Sequence, residues 1–375
     1  MGDQLEIEIE KIVWGGWGLG RHSGLVVFVP KTSPGDRVLC RLVELKKSHA
    51  RAEILEFLKK AAEHQEPPCP VFWKCGGCDW QHLSSKYQRE LKQAFVDEFF
   101  PDIPQERKLL SDLKDYAYRS RIDVHKSNGK VGYRGLRSHN LVEIETCLLL
   151  EERFRPELVA LKVKSGPDGR YRVGAPSEEG FSQVNPSMNQ LLRECLLEWV
   201  RETGSLSGKT WFELYAGSGN FGFFLFEKEP QLRVWCFESD DQAVSFGHQW
   251  LQKRNLSPKK ISIARMSAES ALRRIQIPDS ALVMLDPPRE GLSKEVCSSL
   301  LKLAKPAARL FYLSCNPSTL KRDLQALSSQ WQPQRLQAFD LFPQTHHLEV
   351  LVELRNHTNS KLPKESDASV DSASQ

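Results

Sequence analysis

Two stretches of sequence decide the fold: residues 210–222, TWFELYAGSGNFG, and residues 234–238, VWCFE. Each begins with an apolar run of the length and composition of a buried strand. The first run enters a Gly-rich turn, which lets a backbone approach a cofactor closely, and the second ends on Glu238, whose carboxylate can accept hydrogen bonds from a ribose. The two stretches therefore predict a nucleoside cofactor. Because the turn also satisfies G-x-G-x-x-G, a nicotinamide-dependent enzyme stays open.

The surrounding residues, from about 181 to 354, alternate between strand-like and helix-like patterns, which predicts a parallel α/β sheet. Two further apolar runs, 281–285 and 310–313, lead into Asp286 and Cys315. Since ligands of such sheets bind beyond the carboxyl ends of the strands, we expect both residues in the same crevice as Glu238. A cysteine there without a Cys-x-x-Cys partner is a candidate nucleophile, the alternative being a small buried hydrophobic residue.

A cluster of three cysteines, C-x5-C-x2-C, lies among prolines and glycines near the middle of the N-terminal half: Cys69, Cys75 and Cys78. Cys147 stands alone further on, in a strand-like stretch. Four thiolates, three close together and one from elsewhere, are typical of an iron–sulfur cluster, whereas structural zinc more often uses evenly spaced pairs. We favour the cluster, with zinc as an alternative. A disulfide-stapled loop is disfavoured because no signal peptide is expected and five other cysteines are scattered along the chain.

The first 60 residues alternate short β-prone runs with turn residues, which predicts a small β-barrel. The pattern resembles the TRAM domain, an RNA-binding barrel of the oligonucleotide-binding type, with its landmarks at residues 29–30 (VP) and 34–36 (PGD). After the cysteine cluster, Ser85 and Gln88 have the spacing of a capping box, which predicts the start of a helix.

Composition excludes few classes of protein. The 375 residues are 40% hydrophobic and 27% charged, an ordinary balance for a globular protein, and no apolar stretch is long enough to span a membrane. The net charge is only +4, but residues 107–137 hold nine Lys or Arg and three Asp, with tyrosines among them. Such a segment is typical of a surface that binds RNA phosphates and bases, although a solvated basic face is an alternative.

Five motifs occur together in one order and resemble those of the RNA uracil-C5 methyltransferase family. They are FSQVN at 181–185, LYAGSGNF at 214–221, DPPREG at 286–291, SCNPSTL at 314–320 and FPQTHHLE at 342–349. With the barrel and the four cysteines, the chain resembles from end to end the branch that has an N-terminal TRAM domain and an iron–sulfur cluster. The best-known members of that branch are 23S ribosomal RNA 5-methyluridine methyltransferases.

The resemblance implies a cofactor, a catalytic pair and a substrate. It implies that S-adenosylmethionine is bound by Gln183, Tyr215, Asn220, Glu238 and Asp286. It also implies that Cys315 is the nucleophile, that Glu349 removes the C5 proton, and that Cys69, Cys75, Cys78 and Cys147 hold a [4Fe-4S] cluster. The expected substrate is a uridine of 23S rRNA. The same reaction on the T-loop uridine of tRNA, or a non-catalytic iron–sulfur protein that binds RNA, stays as an alternative.

We therefore predict an α/β protein with a C-terminal Rossmann-like methyltransferase domain, an N-terminal β-barrel and a small central β-rich iron–sulfur domain. The expected boundaries are 1–60 for the barrel, 61–175 for the central domain, 176–355 for the methyltransferase domain and 356–375 for a disordered tail. We expect a monomer that acts on RNA in the cytoplasm, away from membranes.

Overall fold

The computed structural model describes residues 4–164, 166–175, 183–303, 305 and 307–356. The predicted tail, apart from Asn356, lies outside the described residues, as do Phe181 and Ser182 of the first motif. No helix in the described part of the chain is both long enough and apolar enough to cross a bilayer.

A closed barrel of five strands forms the N-terminal part of the chain, which confirms the predicted barrel. The strands are β1 (Gln4–Val13), β2 (Trp17–His22), β3 (Leu25–Pro30), β4 (Arg37–Leu45) and β5 (His49–Lys59), and they neighbour one another in the order β1-β2-β3-β5-β4. Ile7, Ile9, Val27 and Val29 point inward from alternate positions and are fully buried. A Cβ at Gly20 would lie 2.3 Å from the Glu8 carbonyl oxygen, so only glycine lets β2 approach β1 this closely.

The loop of residues 60–84, which carries Cys69, Cys75 and Cys78 and is called the cysteine loop below, leads into helix α1 (Ser85–Phe99). The residue that caps this helix is Ser84, whose Oγ accepts a hydrogen bond from the Tyr87 amide (3.3 Å). The predicted capping box of Ser85 and Gln88 is therefore wrong. The cap lies one residue earlier, and Gln88 is buried on the inner face of the helix instead of reaching back to the helix start.

A four-stranded antiparallel sheet follows, in the order β8-β7-β6-β9. Its strands are β6 (Arg121–Ser127), β7 (Lys130–Arg134), β8 (Leu141–Glu143) and β9 (Gly169–Gly174), with a 3-10 turn (Glu152–Phe154) and helix α2 (Arg155–Val163) between the last two. Cys147 lies in the loop after β8, so the strand expected around it is wrong. The chain turns there, and the Cys147 carbonyl accepts from the Leu150 amide (3.1 Å).

The C-terminal part is a seven-stranded sheet with helices on both faces, which confirms the predicted α/β fold. The strands are β10 (Thr210–Leu214), β11 (Arg233–Glu238), β12 (Ile261–Arg265), β13 (Leu282–Leu285), β14 (Arg309–Ser314), β15 (Trp331–Phe339) and β16 (Glu349–Asn356). The helices are α3 (Pro186–Arg201), α4 (Gly222–Lys228), α5 (Asp241–Lys253), α6 (Ala268–Arg274), α7 (Lys294–Lys302) and α8 (Pro317–Leu327). The order is β12-β11-β10-β13-β14-β16-β15, parallel except for the pairs made by β16.

Two apolar clusters cover the faces of this sheet, one with α6, α7 and α8 and the other with α3, α4 and α5. Strands covered on both faces have no solvent-facing positions, so their sequences are continuous apolar runs. All four residues of β13 are buried, for example. This burial is the reason that these strands could be located from sequence.

Candidate active site

The residues with chemistry follow the ends of neighbouring strands. Tyr215 follows β10, Glu238 ends β11, Asp286 follows β13, and Cys315 comes just after β14. These four strands are adjacent and parallel, so their carboxyl ends lie along one edge. Glu349 begins β16, which runs antiparallel beside β14 with Val350 opposite Ser314, and so it starts at that same edge. The structure therefore brings these sequence-predicted residues to one side of the sheet.

The Gly-rich turn is fixed by two carboxylates. Tyr215, Gly217 and Gly219 adopt positive φ angles of 60°, 54° and 94°, a conformation that glycine reaches without strain. Glu238 accepts from the Gly217 amide (2.9 Å), and the buried Glu213 accepts from the indole of Trp211 (3.2 Å) and from the first amide of α4. Burial raises the pKa of Glu213 to about 7. The two carboxylates thus hold the turn at both ends, through the amides of Gly217 and Gly222.

A pair of asparagines closes one side of the crevice. Asn220 and Asn189 exchange two hydrogen bonds of 3.0 Å, and Asn189 is buried on α3. Asn185, the last residue of the first motif, caps α3 by accepting from the Met188 amide (3.3 Å). Gln183 is buried just before this cap. Asn189 is a site residue that sequence reasoning missed, because it lies outside the motifs and its partner is 31 positions away.

Two carboxyl groups, those of Glu349 and Asp286, lie near Cys315. Burial, together with the nearby charges of Glu349 and Asp286, raises the pKa of the Cys315 thiol to about 12 despite the opposing charge of Arg289. Burial and the charges of Glu213 and Glu238 raise the pKa of Asp286 to about 8. Glu349 is 4% exposed, and burial also raises its pKa well above the usual range. Its Oε2 has no hydrogen-bond partner among the described residues, which leaves an acceptor free in the crevice.

Arg289 and His347 also lie in this site, although sequence analysis gave them no role. Arg289 Nη2 donates to His347 Nε2 (2.9 Å), and burial lowers the pKa of His347 to about 2, so the imidazole is a neutral acceptor. The Arg289 carbonyl accepts from the side chains of Asn316 and Thr319 (both 3.2 Å). Asn316 caps α8, so the DPPREG turn is tied to the residues that flank Cys315. Both residues lie inside motifs that were recognised in the sequence, and this position was the signal that could have identified them as site residues.

The four cysteines lie apart from this crevice and line one cavity of about 50 Å³, together with Gln81, Arg119 and Tyr133. Three of the sulfurs accept hydrogen bonds: Cys75 from the Gly77 amide (3.3 Å), Cys78 from Gln81 (3.1 Å) and Cys147 from the Tyr133 hydroxyl (3.7 Å). Among the described residues, no three His, Cys, Asp or Glu side chains are close enough to hold a single metal ion.

The basic segment divides between the interior and the surface. Arg121 is buried, and Arg119 packs over the ring of Phe342 (5.8 Å) and donates to the Tyr118 hydroxyl (3.3 Å). Neither lies on an open basic face, contrary to expectation. Arg134 and Arg137 are exposed, and the Arg137 guanidinium stacks 4.7 Å from the ring of Trp17.

A groove of about 940 Å³ runs between the barrel and the four-stranded sheet. Its lining combines aromatic and basic side chains: Trp17, Phe57, Trp73, Lys60, Lys74 and Arg137. Trp73 is 40% exposed, which is high for a tryptophan. Next to Trp17, Gly16 packs against His346, so this end of the groove adjoins the segment that leads to Glu349.

Comparisons with known proteins point in one direction. The family described as tRNA (Uracil-5-)-methyltransferase matches residues 160–357, and the TRAM domain matches residues 1–55. The chain is 33% identical to an uncharacterised RNA methyltransferase of Bdellovibrio bacteriovorus, covering 95% of this chain and 96% of that protein. It is 25% identical to a 23S rRNA (uracil(1939)-C(5))-methyltransferase of Shewanella denitrificans, covering 93% and 95%.

A solved structure has the same fold over nearly the whole chain. It is the tRNA (uracil-54, C5)-methyltransferase of Pyrococcus abyssi in complex with S-adenosyl-L-homocysteine. The TM-score is 0.68 at 20% identity, covering 93% of this chain and 100% of that one. At this level of identity the likeness shows the fold alone.

Proposed function

The chain belongs to the tRNA (uracil-5-)-methyltransferase family and is an S-adenosylmethionine-dependent RNA uracil-C5 methyltransferase, and on that premise we propose that Cys315 and Glu349 carry out the reaction through a covalent adduct. The observation that supports this most is the meeting, at adjacent strand ends, of a half-buried thiol and a buried carboxylate whose Oε2 has no hydrogen-bond partner in the described part of the chain. We further propose that Gln183, Tyr215, Asn220, Glu238 and Asp286 bind the cofactor.

The chemistry of uracil explains the need for a thiol. Carbon 5 is too weakly nucleophilic to accept a methyl group, but bond formation between the Cys315 sulfur and carbon 6 converts the C4–C5 unit into an enolate. S-adenosylmethionine would supply the methyl group as an electrophile and would leave as S-adenosylhomocysteine. Carbon 5 then carries both the new methyl and its original hydrogen. Glu349 takes that proton, the C5–C6 double bond re-forms and the C6–S bond breaks, which returns the thiolate.

The electrostatics of the site suit the role of Glu349. A carboxyl whose pKa is raised is a stronger base once ionised, as removal of a proton from carbon requires. Burial and two carboxylates raise the pKa of the Cys315 thiol, and the positive charge of Arg289 is the nearby group that opposes this rise and favours the thiolate. Because carbon 6 is inaccessible in a stacked helix, the target uridine must be unpaired or flipped into the crevice.

We propose that the substrate is 23S rRNA. Relatives with 23S rRNA in their names align over more than nine-tenths of this chain, and the barrel and the adjoining groove offer a surface for extended RNA. The T-loop uridine of tRNA is the second candidate, because the similar solved structure is a tRNA methyltransferase.

The test is to incubate the purified protein with labelled S-adenosylmethionine and unmodified 23S rRNA or tRNA, and to map 5-methyluridine. Label in tRNA alone would overturn the rRNA assignment, and label in neither would mean that the target uridine lies in another RNA.

We propose that the exposed arginines beside the groove contact RNA phosphates. Replacing Arg134 and Arg137 by glutamine should weaken RNA binding and reduce the log–log salt slope by about two units, because each lost contact releases one counterion fewer. S-adenosylmethionine affinity should not change. Salt titrations of binding by fluorescence anisotropy measure the slope. The matched control is Lys259→Gln with Lys260→Gln, which removes the same charge from exposed residues that precede β12 and do not line the groove. Equal slopes in both double variants would mean that the arginines are only a solvated face.

We also propose that Cys69, Cys75, Cys78 and Cys147 hold a [4Fe-4S] cluster. The shared cavity and the hydrogen bonds to three of the sulfurs support this donor set, and Arg119 beside the cavity would balance the negative charge of the thiolates. The protein purified without oxygen should be brown and carry about four irons per chain.

Cys147→Ser should lose most of this iron, measured by metal analysis, while Cys195→Ala, a buried cysteine on α3 outside the cavity, should retain it. Colourless protein with about one zinc per chain would refute the cluster. We expect a structural role for it, because methylation of uracil moves no unpaired electron.

The division of the chain is part of the proposal. We propose domains at 1–60, 61–175 and 176–355, since each contains one of the three sheets. We further propose a monomer acting in the cytoplasm.

A further inference from the structure

The segment that leads to Glu349 is held by residues from the first third of the chain. This segment, residues 340–349, connects β15 to β16. Gln344, near its middle, has a positive φ of 70°. A residue other than glycine keeps such a conformation only where its surroundings hold it. The contacts described below supply that hold.

The cysteine loop makes the contacts nearest to Glu349. The amides of Asp79 and Trp80 donate to the Gln344 carbonyl (3.0 and 3.1 Å). The Asp79 carboxylate accepts from both the backbone amide (3.2 Å) and the ring Nδ1 (2.7 Å) of His346, which is three residues before Glu349. Asp79 directly follows Cys78, so the same loop lines the cysteine cavity and holds the segment.

Helix α1 holds the rest of the segment. Gln88 exchanges two hydrogen bonds of 2.9 Å with Gln344, one through the side chain and one through the backbone amide. Lys92 and Asp340 form a fully buried ion pair of 2.6 Å, and Lys92 also donates to the Phe342 carbonyl (3.0 Å). None of these groups touches the proposed nucleophile, so their effect on the reaction must pass through the position of the segment.

The position of Glu349 depends on this segment. Its Oε2 lacks a hydrogen-bond partner among the described residues, so side-chain contacts of its own do not fully fix the carboxylate. Its orientation is set by the backbone that enters β16. The next residue after His346 is His347, which binds Arg289, so a shift of His346 would also move a charge that acts on Cys315.

We propose that Asp79 is a positioning residue for Glu349, and that the cysteine loop thereby controls the removal of the C5 proton. This inference rests on the proposed function. A displacement of a catalytic group by about 1 Å can cost about a hundredfold in rate. Loss of the Asp79 carboxylate should therefore slow proton removal by about that factor, while addition of the thiolate and methyl transfer, which precede it, continue.

The test is a single-turnover experiment that mixes the full chain with labelled S-adenosylmethionine and a 23S rRNA fragment. The metal content of the protein is measured first. Asp79→Ala should accumulate a methylated protein–RNA adduct on denaturing gels, and its turnover should fall about a hundredfold. Its Michaelis constant for S-adenosylmethionine should change little. Asp79→Asn keeps an acceptor oxygen for His346 and should recover most of the turnover. The control is Lys86→Ala on the exposed face of α1, which should behave as the original protein.

Asp79 adjoins a cysteine of the cavity, so iron per chain is measured for every variant. If Asp79→Ala does not fold or loses metal, Gln88→Leu decides, because Gln88 holds Gln344 from a different element. It should show the same accumulation of adduct. Normal release of product, or a loss of methyl transfer and adduct together, in the deciding variant would overturn the inference. If Glu349→Gln itself accumulates no adduct, the assignment of Glu349 fails instead.

Discussion

Cys315→Ala is expected to abolish methyl transfer to RNA, with turnover reduced by at least about 10⁴-fold, because the alanine side chain has no nucleophile that can add to carbon 6. S-adenosylmethionine should still bind within a few-fold of its original affinity, since the thiol acts on the base and not on the cofactor. Turnover is measured by transfer of label to 23S rRNA, and cofactor affinity by calorimetry.

The matched control for this variant is Cys195→Ala, which removes a buried thiol on α3. It should keep both methylation and cofactor binding. Appreciable turnover by Cys315→Ala would show that carbon 5 is activated without a covalent bond. A loss of cofactor binding equal to the loss of turnover would instead place Cys315 in the cofactor site.

Glu349→Gln is expected to separate the two halves of the reaction. The amide is nearly the same size as the carboxylate but cannot take a proton, so turnover should fall by about 10²- to 10⁴-fold. Adduct formation and methyl transfer come first and should continue. The variant should therefore accumulate a methylated covalent complex, visible as a band of retarded mobility that carries label from S-adenosylmethionine.

Glu295→Gln is the control for the charge change, because Glu295 is exposed on α7, where it pairs with Arg273. It should release product normally. If Glu349→Gln forms no adduct at all, Glu349 is needed before methyl transfer, and another group must remove the C5 proton.

The sheet and the site edge could be predicted from sequence because both follow from local patterns. Strands buried on both faces are continuous apolar runs, and the residues that follow them meet at one edge of a parallel sheet. Glu238, Asp286 and Cys315 were therefore placed together without knowledge of the tertiary structure, whereas Tyr215 was named only through the resemblance to the family. The Gly-rich turn was located by the spacing of its glycines, although the hydrogen bond from the Gly217 amide to Glu238, 21 positions away, could not be predicted.

Contacts between distant parts of the chain could not be predicted in this way. Nothing in the sequence near Asp79 indicates that its partner is His346, 267 positions away. Gln88 had the spacing of a capping-box residue, yet the buried face of α1 turns it toward Gln344. A charge count treated Arg119 and Arg121 as surface residues, whereas packing against Phe342 and burial decide their positions.

The cysteines illustrate both what a local pattern predicts and what it misses. Their number and spacing predicted a shared site, and all four line one cavity. The strand expected around Cys147 was wrong, because a short apolar stretch is compatible with a loop that packs its side chains inward.

The most direct test of the covalent mechanism is mass spectrometry of the protein after reaction with an RNA that carries 5-fluorouridine at the target position. Fluorine replaces the hydrogen that Glu349 would remove, so the reaction should stop after methyl transfer with the sulfur still bonded to carbon 6. The predicted result is one modified peptide, containing Cys315, with the mass of a methylated fluoropyrimidine nucleotide, formed only when S-adenosylmethionine is present. Absence of this peptide, or a bond to any other residue, in a preparation that methylates ordinary uridine would contradict the mechanism.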